Sequence, residues 1–327
     1  MAQSILFGLG AGIVAALMFA ALATGSALSM LLFYLAPLPI MIAALGFTHL
    51  AGITAALTGS LALVSAFNLL FGIAFLIGVG VPAWWLGYLA LLARPVATTD
   101  GAEQLEWYPV GRLVFWTAVI GGGVVLMAIP QFGSDAESFR AALQAGFERV
   151  FRLQTSTPAD QPLKLPGITD TKLFFEFFAI VIPPAAAALT TVTLLINLWL
   201  AGRVVKLSGR LKRPWPDLRA LALPTYASAL YVLAIAGGFL PGLIGIISGL
   251  FAASLTIAYA AHGLAVLHAL VRPLSSKAII LTGIYAAILL FGWPLLVIVM
   301  LGLADALLDL RGRAARSSKT PPPPTST

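Results

Sequence analysis

Residues 27–93 read ALSMLLFYLAPLPIMIAALGFTHLAGITAALTGSLALVSAFNLLFGIAFLIGVGVPAWWLGYLALLA, with no Asp, Glu, Lys or Arg among them. The one side chain there that could titrate near neutral pH is His49. A helix needs about 20 apolar residues to cross the hydrocarbon core of a bilayer, so this stretch supplies three crossings. Helices close their own backbone hydrogen bonds, which lipid demands of any spanning segment. The same character runs through the whole chain. Hydrophobic residues fill 60% of the 327 positions and charged residues 9%, against roughly 25% charged in a soluble domain. The fold class read from this is all-α, a polytopic transmembrane helical bundle.

Working outward, apolar runs predict helices over 5–24, 28–47, 50–67, 69–93, 110–130, 173–201, 221–239, 242–270 and 278–304. The first carries no Lys or Arg before it and is longer than a signal-peptide core, so it reads as a retained helix. Gly8 with Gly12 and Gly245 with Gly249 have the four-residue spacing that lets helix backbones approach closely in lipid. Such pairs are also ordinary in Gly/Ala-rich membrane helices, and that plainer reading is preferred here. Residues 1–310 form one transmembrane domain on this view, followed by a disordered tail over 311–327 with four consecutive prolines at 321–324.

Orientation follows from the basic residues. The loop over 202–220 holds Arg203, Lys206, Arg210, Lys212, Arg213 and Arg219 against a single acid, Asp217. That excess marks the cytoplasmic side, and counting back places 131–172 outside. The outer segment opens with Ser134 and Glu137 in a capping-box pattern. Phe139, Leu143, Phe147, Val150 and Phe151 follow at helical spacing. This predicts one amphipathic helix, lying either in the membrane interface or on the protein's own outer face. Three crossings after Arg219 would leave the tail outside, yet Arg311, Arg313, Arg316 and Lys319 argue for a cytoplasmic tail. One late segment is then re-entrant or bent, and the expected count is eight to ten helices.

Polar groups within apolar segments are where function concentrates, since a charge at mid-bilayer costs about 2.5–3.5 kcal/mol on insertion scales. The candidates are Asn68, Glu176, Asn197, His262 and His268. Glu176 follows Lys172 by four residues and is expected to pair with it. Asn197 suits an interhelical hydrogen bond. His262 and His268 are six apart, so they do not share a face as a metal pair would, and hydrogen-bonded histidines between helices are the expected outcome. Asp305 and Asp309 are four apart, with Arg311 and Arg313 close behind. An ion-paired helix terminus is preferred there, and a docking surface formed by Asp305, Asp309 and Arg311 is the sharper alternative. Pro37, Pro39, Pro183, Pro184 and Pro294 mark breaks that could build a transport site.

Several classes are disfavoured. The chain has no cysteine, hence no disulfide or thiolate metal site. It carries neither a phosphate-binding loop motif nor a nucleophile-elbow motif, and no clustered His and carboxylates, so no ATPase, enzyme, cofactor or metal site is expected. The net charge of +7 sits between hydrophobic segments, where lipid head groups rather than nucleic acid are the natural partners.

The stretch Tyr259-Ala-Ala-His-Gly-Leu-Ala-Val266, the segment from Gly302 to Asp305, Asp309-Leu-Arg311 and Asn197-Leu-Trp-Leu-Ala-Gly-Arg203 resemble the YybS-like family of uncharacterised bacterial membrane proteins. That resemblance implies a distant similarity in fold to the substrate-binding subunits of energy-coupling-factor vitamin transporters, and a place in the bacterial inner membrane. The chain departs from those subunits in lacking a clear Ala-rich segment for docking a coupling subunit. Two functions follow as expectations. One is a transport or small-molecule-binding membrane component without its own ATPase, served by a cytoplasmic or membrane protein partner. The other is a scaffold for cell-envelope or cell-shape machinery.

Overall fold

A computed structural model describes residues 2–97, 103–158, 160–163 and 166–317. The apolar runs form helices as expected, and seven helical segments are long and apolar enough to cross a membrane: Ala2–Thr24, Ala27–Gly46, His49–Ala66, Leu69–Ala90, Val110–Gln131, Thr171–Leu207 and Gly242–Val271. The chain is thus an all-α, multi-pass membrane protein.

The first four segments contain six α-helices. These are α1 (Ala2–Ala20), α2 (Ala27–Leu35), α3 (Pro37–Gly46), α4 (His49–Ala66), α5 (Leu69–Phe75) and α6 (Val81–Ala90). Pro37 does break its segment, because it starts α3 at the first helical position, where its missing N–H costs nothing. A π-helical turn over Leu76–Gly80 joins α5 to α6. A short hairpin follows, β1 (Ala93–Ala97) pairing antiparallel with β2 (Glu103–Trp107), where the hydrophobic pattern had suggested helix up to residue 93 and loop beyond it. An Arg94–Glu106 ion pair of 2.6 Å spans the two strands.

Next come α7 (Val110–Ala128), α8 (Ala136–Thr155) and α9 (Thr171–Leu207). At 37 residues α9 is roughly 55 Å long, well beyond the ~30 Å hydrocarbon thickness. It stays helical through Pro183 and Pro184, so that proline pair builds no break. The amphipathic helix α8 is capped by Asp135 and Ser138, not by the expected Ser134 and Glu137. Asp135 reaches the free N–H groups of Glu137 and Ser138 at 3.0 and 2.9 Å, and these bonds hold its carboxyl below the usual range. Phe147 and Phe151 of α8 pack on Phe174, Phe175 and Phe178 at the start of α9. The apolar face of α8 therefore meets the protein itself.

The last third departs most from the sequence reading. It holds α10 (Tyr226–Gly237), α11 (Gly242–Val271), α12 (Lys277–Phe291), α13 (Pro294–Leu308) and α14 (Leu310–Ser317). The run expected as one helix over 278–304 is two, divided at Gly292, whose φ of +70° belongs to the left-handed region, and at Pro294, which opens α13. The expected 221–239 helix shrinks to the 12 residues of α10 after Pro224. The tail expected to be disordered from 311 is helical as far as Ser317. The rest of it, including the prolines, lies outside the described residues.

Packing places α9 in the middle, with α3 and α6 against one side and α7 and α11 against another. Glycines set the closest approaches. A Cβ at Gly8 would fall 2.7 Å from the Ala51 carbonyl oxygen, and one at Gly12 would collide with the Ala55 carbonyl and Thr58 of α4. Close packing therefore wins over the plainer reading of this pair. For Gly249 the plainer reading stands, since nothing lies within 4 Å of its missing Cβ. Gly12→Val is expected to lower the thermal midpoint of the detergent-solubilised protein by several degrees, as overpacking costs about 1–3 kcal/mol. Gly10→Val, with nothing within 4 Å, should leave that midpoint nearly unchanged. Equal effects of the two, measured by heating and size-exclusion chromatography, would contradict the α1–α4 contact.

Candidate functional site

Two glycines bring α11 and α13 together. The Ile298 carbonyl occupies the space where Gly263 would carry a Cβ, and the Tyr259 carbonyl lies 2.6 Å from the Cβ position of Gly302. Any larger residue at either place would push the helices apart. Beside this crossing, α13 ends at Asp309, a non-glycine residue in the left-handed conformation with φ +50°. The turn reverses the chain so that α14 folds back over Asp305.

Asp305 is buried, with 5% of its side chain exposed, and it binds Arg311 three times. The Arg311 backbone N–H donates to Oδ1 at 3.0 Å, and its side chain reaches Oδ2 from Nε at 3.0 Å and from Nη2 at 2.8 Å. His262 from α11, 1% exposed, brings Nε2 to 3.2 Å from both Asp305 Oδ2 and Arg311 Nη2. A carboxylate only accepts and a guanidinium only donates, so Nε2 serves one of them at a time. Its other nitrogen, Nδ1, is buried with no hydrogen-bond partner among the described residues. Arg311 also donates from Nη1 to the Arg219 carbonyl at 2.7 Å. One arginine thus ties three things together: the α13 terminus, α11 and the basic loop between α9 and α10.

That loop lines one side of an apolar, half-open cavity of about 460 Å³. Leu195, Leu198, Trp199 and Gly202 of α9 form one wall, and Val110, Leu113 and Val114 of α7 another. From α11 come Ala261, Leu264, Ala265 and His268, and Leu211, Arg213, Trp215 and Leu218 come from the loop. Trp215 is held in place by cations on its ring, Arg203 at 5.4 Å and Lys206 at 5.2 Å from the centroid, an attraction of about 0.5–1 kcal/mol each at exposed sites. Arg213 donates to the Ala90 carbonyl at 3.1 Å and to the Tyr108 carbonyl at 3.3 Å. Its Nε is buried without a partner among the described residues, and burial lowers the pKa of the guanidinium. Arg219, by contrast, has its charge matched by Asp217 at 2.9 Å.

The residues singled out by sequence scatter. Asn68 caps α5, accepting from the Phe71 N–H at 2.9 Å. Glu176 makes no ion pair with Lys172 among the described residues, although both sit near the start of α9. Asn197 is buried and donates to the Tyr34 and Thr193 carbonyls at 2.8 Å each, the interhelical bond expected of it. His268 donates from Nδ1 to the Leu264 carbonyl at 2.8 Å and lines the cavity. The structure unites His262, Asp305 and Arg311, which the sequence had split between a histidine pair and an acidic terminus. Asp305 is too buried to form a docking surface, and Asp309 pairs with Arg316 at 3.2 Å rather than with Arg313. Arg213, Trp199 and Trp215 went unnoticed as site residues. A tryptophan between two prolines inside a basic loop was the available signal.

No curated protein and no solved structure matches the chain. A family model described as a predicted membrane protein, DUF2232, matches residues 12–306, and the chain belongs to that family.

The buried pair sets a measurable expectation. Asp305→Ala and Arg311→Ala should each destabilise the protein by roughly 3–5 kcal/mol, because either leaves an uncompensated charge. The double variant should lose less than the sum, with a coupling on the order of 1–3 kcal/mol. Additive losses in equilibrium unfolding from mixed micelles would show that the pair does not act as one unit.

Proposed function

We propose that this member of the DUF2232 family is a small-molecule-binding component of a transport system, spanning the bacterial inner membrane and lacking an ATPase of its own. One observation carries the reading: the apolar, half-open cavity lined by α7, α9, α11 and the basic loop. Its size falls in the range of about 300–1,000 Å³ typical of small-molecule sites, and such sites are mostly apolar with a few placed polar groups. The resemblance to the YybS-like family supports the bacterial setting and the distant kinship with substrate-binding transporter subunits. The excess of Lys and Arg in the loop supports a cytoplasmic position for the cavity. Energy would then come from a protein partner, and nothing in the reading requires a cofactor, a metal or a catalytic step.

Purification in mild detergent followed by native mass spectrometry tests it. The expected result is a bound small molecule on the wild-type chain that Ala261→Phe, which projects into the cavity, removes while the protein stays monodisperse. Cell-envelope proteins copurifying in place of any small molecule would favour the scaffold reading. A ligand-free spectrum for wild type and variant alike would refute the binding role.

A further inference from the structure

We propose that the cavity takes an anionic amphiphile, its hydrocarbon body against the apolar walls and its single anionic group, carboxylate or phosphate, at the Arg213 guanidinium. The inference rests on the small-molecule reading of the same cavity and names the ligand class. Three observations carry it. First, Arg213 is the cavity's cation without an acid: among the described residues no carboxylate pairs with it, whereas Arg219 is matched by Asp217. Among the described residues its guanidinium donates to two backbone carbonyls, neither of which carries a charge. Second, its Nε is buried and has no hydrogen-bond partner among the described residues. A buried donor left unmet costs about 1–3 kcal/mol, and a guanidinium presents its N–H groups in a fork that fits a carboxylate or phosphate. Third, the remaining walls are almost wholly apolar and border far more room than a small inorganic anion fills. A neutral hydrophobe would leave the guanidinium unmatched, and a free inorganic ion would leave the walls empty. Only a molecule with both parts satisfies the site.

Trp199 and Trp215 line the cavity, so bromine, a short-range quencher of tryptophan fluorescence, reports occupancy. The full-length protein in phosphatidylcholine nanodiscs is titrated with dibrominated stearate and, separately, with dibrominated stearyl alcohol. The acid should quench saturably with an affinity at least tenfold above the alcohol's, and Trp199→Phe with Trp215→Phe should abolish most of that quenching. Arg213→Gln should erase the tenfold preference while leaving the alcohol's weak binding in place. The wild-type acid-to-alcohol comparison stands even if that variant fails to fold. Brominated phosphatidylglycerol built into the nanodiscs forms a second arm. Quenching there assigns the anion to a bilayer lipid, and quenching by the free acid alone assigns it to a soluble amphiphile; both support the proposal. Equal affinity for acid and alcohol would overturn the anionic head while leaving the cavity a binding site. Loss of saturable quenching by every probe would bring down both readings.

Discussion

In lipid the hydrophobic effect does not hold helices together, because a neighbouring helix is no more apolar than an acyl chain. Contact distance then decides, and contact distance depends on what projects from the backbone. This chain meets that constraint with glycine at its main crossings. Gly8 and Gly12 admit the backbone of α4, and Gly121 admits Thr191 and the Ala187 carbonyl of α9. Gly111 admits the Ala222 carbonyl of the loop before α10, and Gly263 and Gly302 interleave α11 with α13. Where the missing Cβ of a glycine has open space, as at Gly10, Gly123 and Gly249, the residue sits away from a crossing.

The charged cluster is a consequence of the last of those crossings. Only with α13 tight against α11 does the Asp305 carboxylate come within 3.2 Å of His262. Only because Asp309 takes a left-handed turn does Arg311 return to the same carboxylate. Arg311 then reaches the Arg219 carbonyl, so the loop that lines the cavity is anchored to the turn between α13 and α14. Trp215 adds a second anchor through Arg203 and Lys206. The basic loop, which a composition argument treats only as a topology signal, is in this way a structural wall.

How much of this was legible follows from which signals are local. Crossing helices such as α4, α7 and α11 were plain from uninterrupted apolar runs, since length against bilayer thickness is a one-dimensional test. The break between α12 and α13 was harder, because Gly292 and Pro294 are tolerated inside many membrane helices and only the φ of Gly292 shows that the helix ends. The cap of α8 shifted by one residue, from Ser134 to Asp135, a difference within the ordinary blur of helix starts. The site was the least legible part. His262 and Asp305 are 43 positions apart, and no spacing rule joins them. Arg213 was counted as one charge among six, since exposure and pairing of a loop arginine depend on what folds over it.

One feature of α11 links the two halves of the site. Ala261 faces the cavity and His262, its neighbour in sequence, faces the cluster with Asp305 and Arg311. Adjacent helical residues point about 100° apart, so the helix presents the cavity wall on one side and the charged contact on another. A rigid helix cannot turn one face without turning the other. The wall formed by Ala261, Leu264 and Ala265 and the 3.2 Å contact at His262 therefore share one helix. Arg311 joins that contact to the loop through the Arg219 carbonyl, and the loop itself lines the cavity. Cavity wall, charged cluster and basic loop are thus built from one connected set of contacts, and none of the three is placed without the other two.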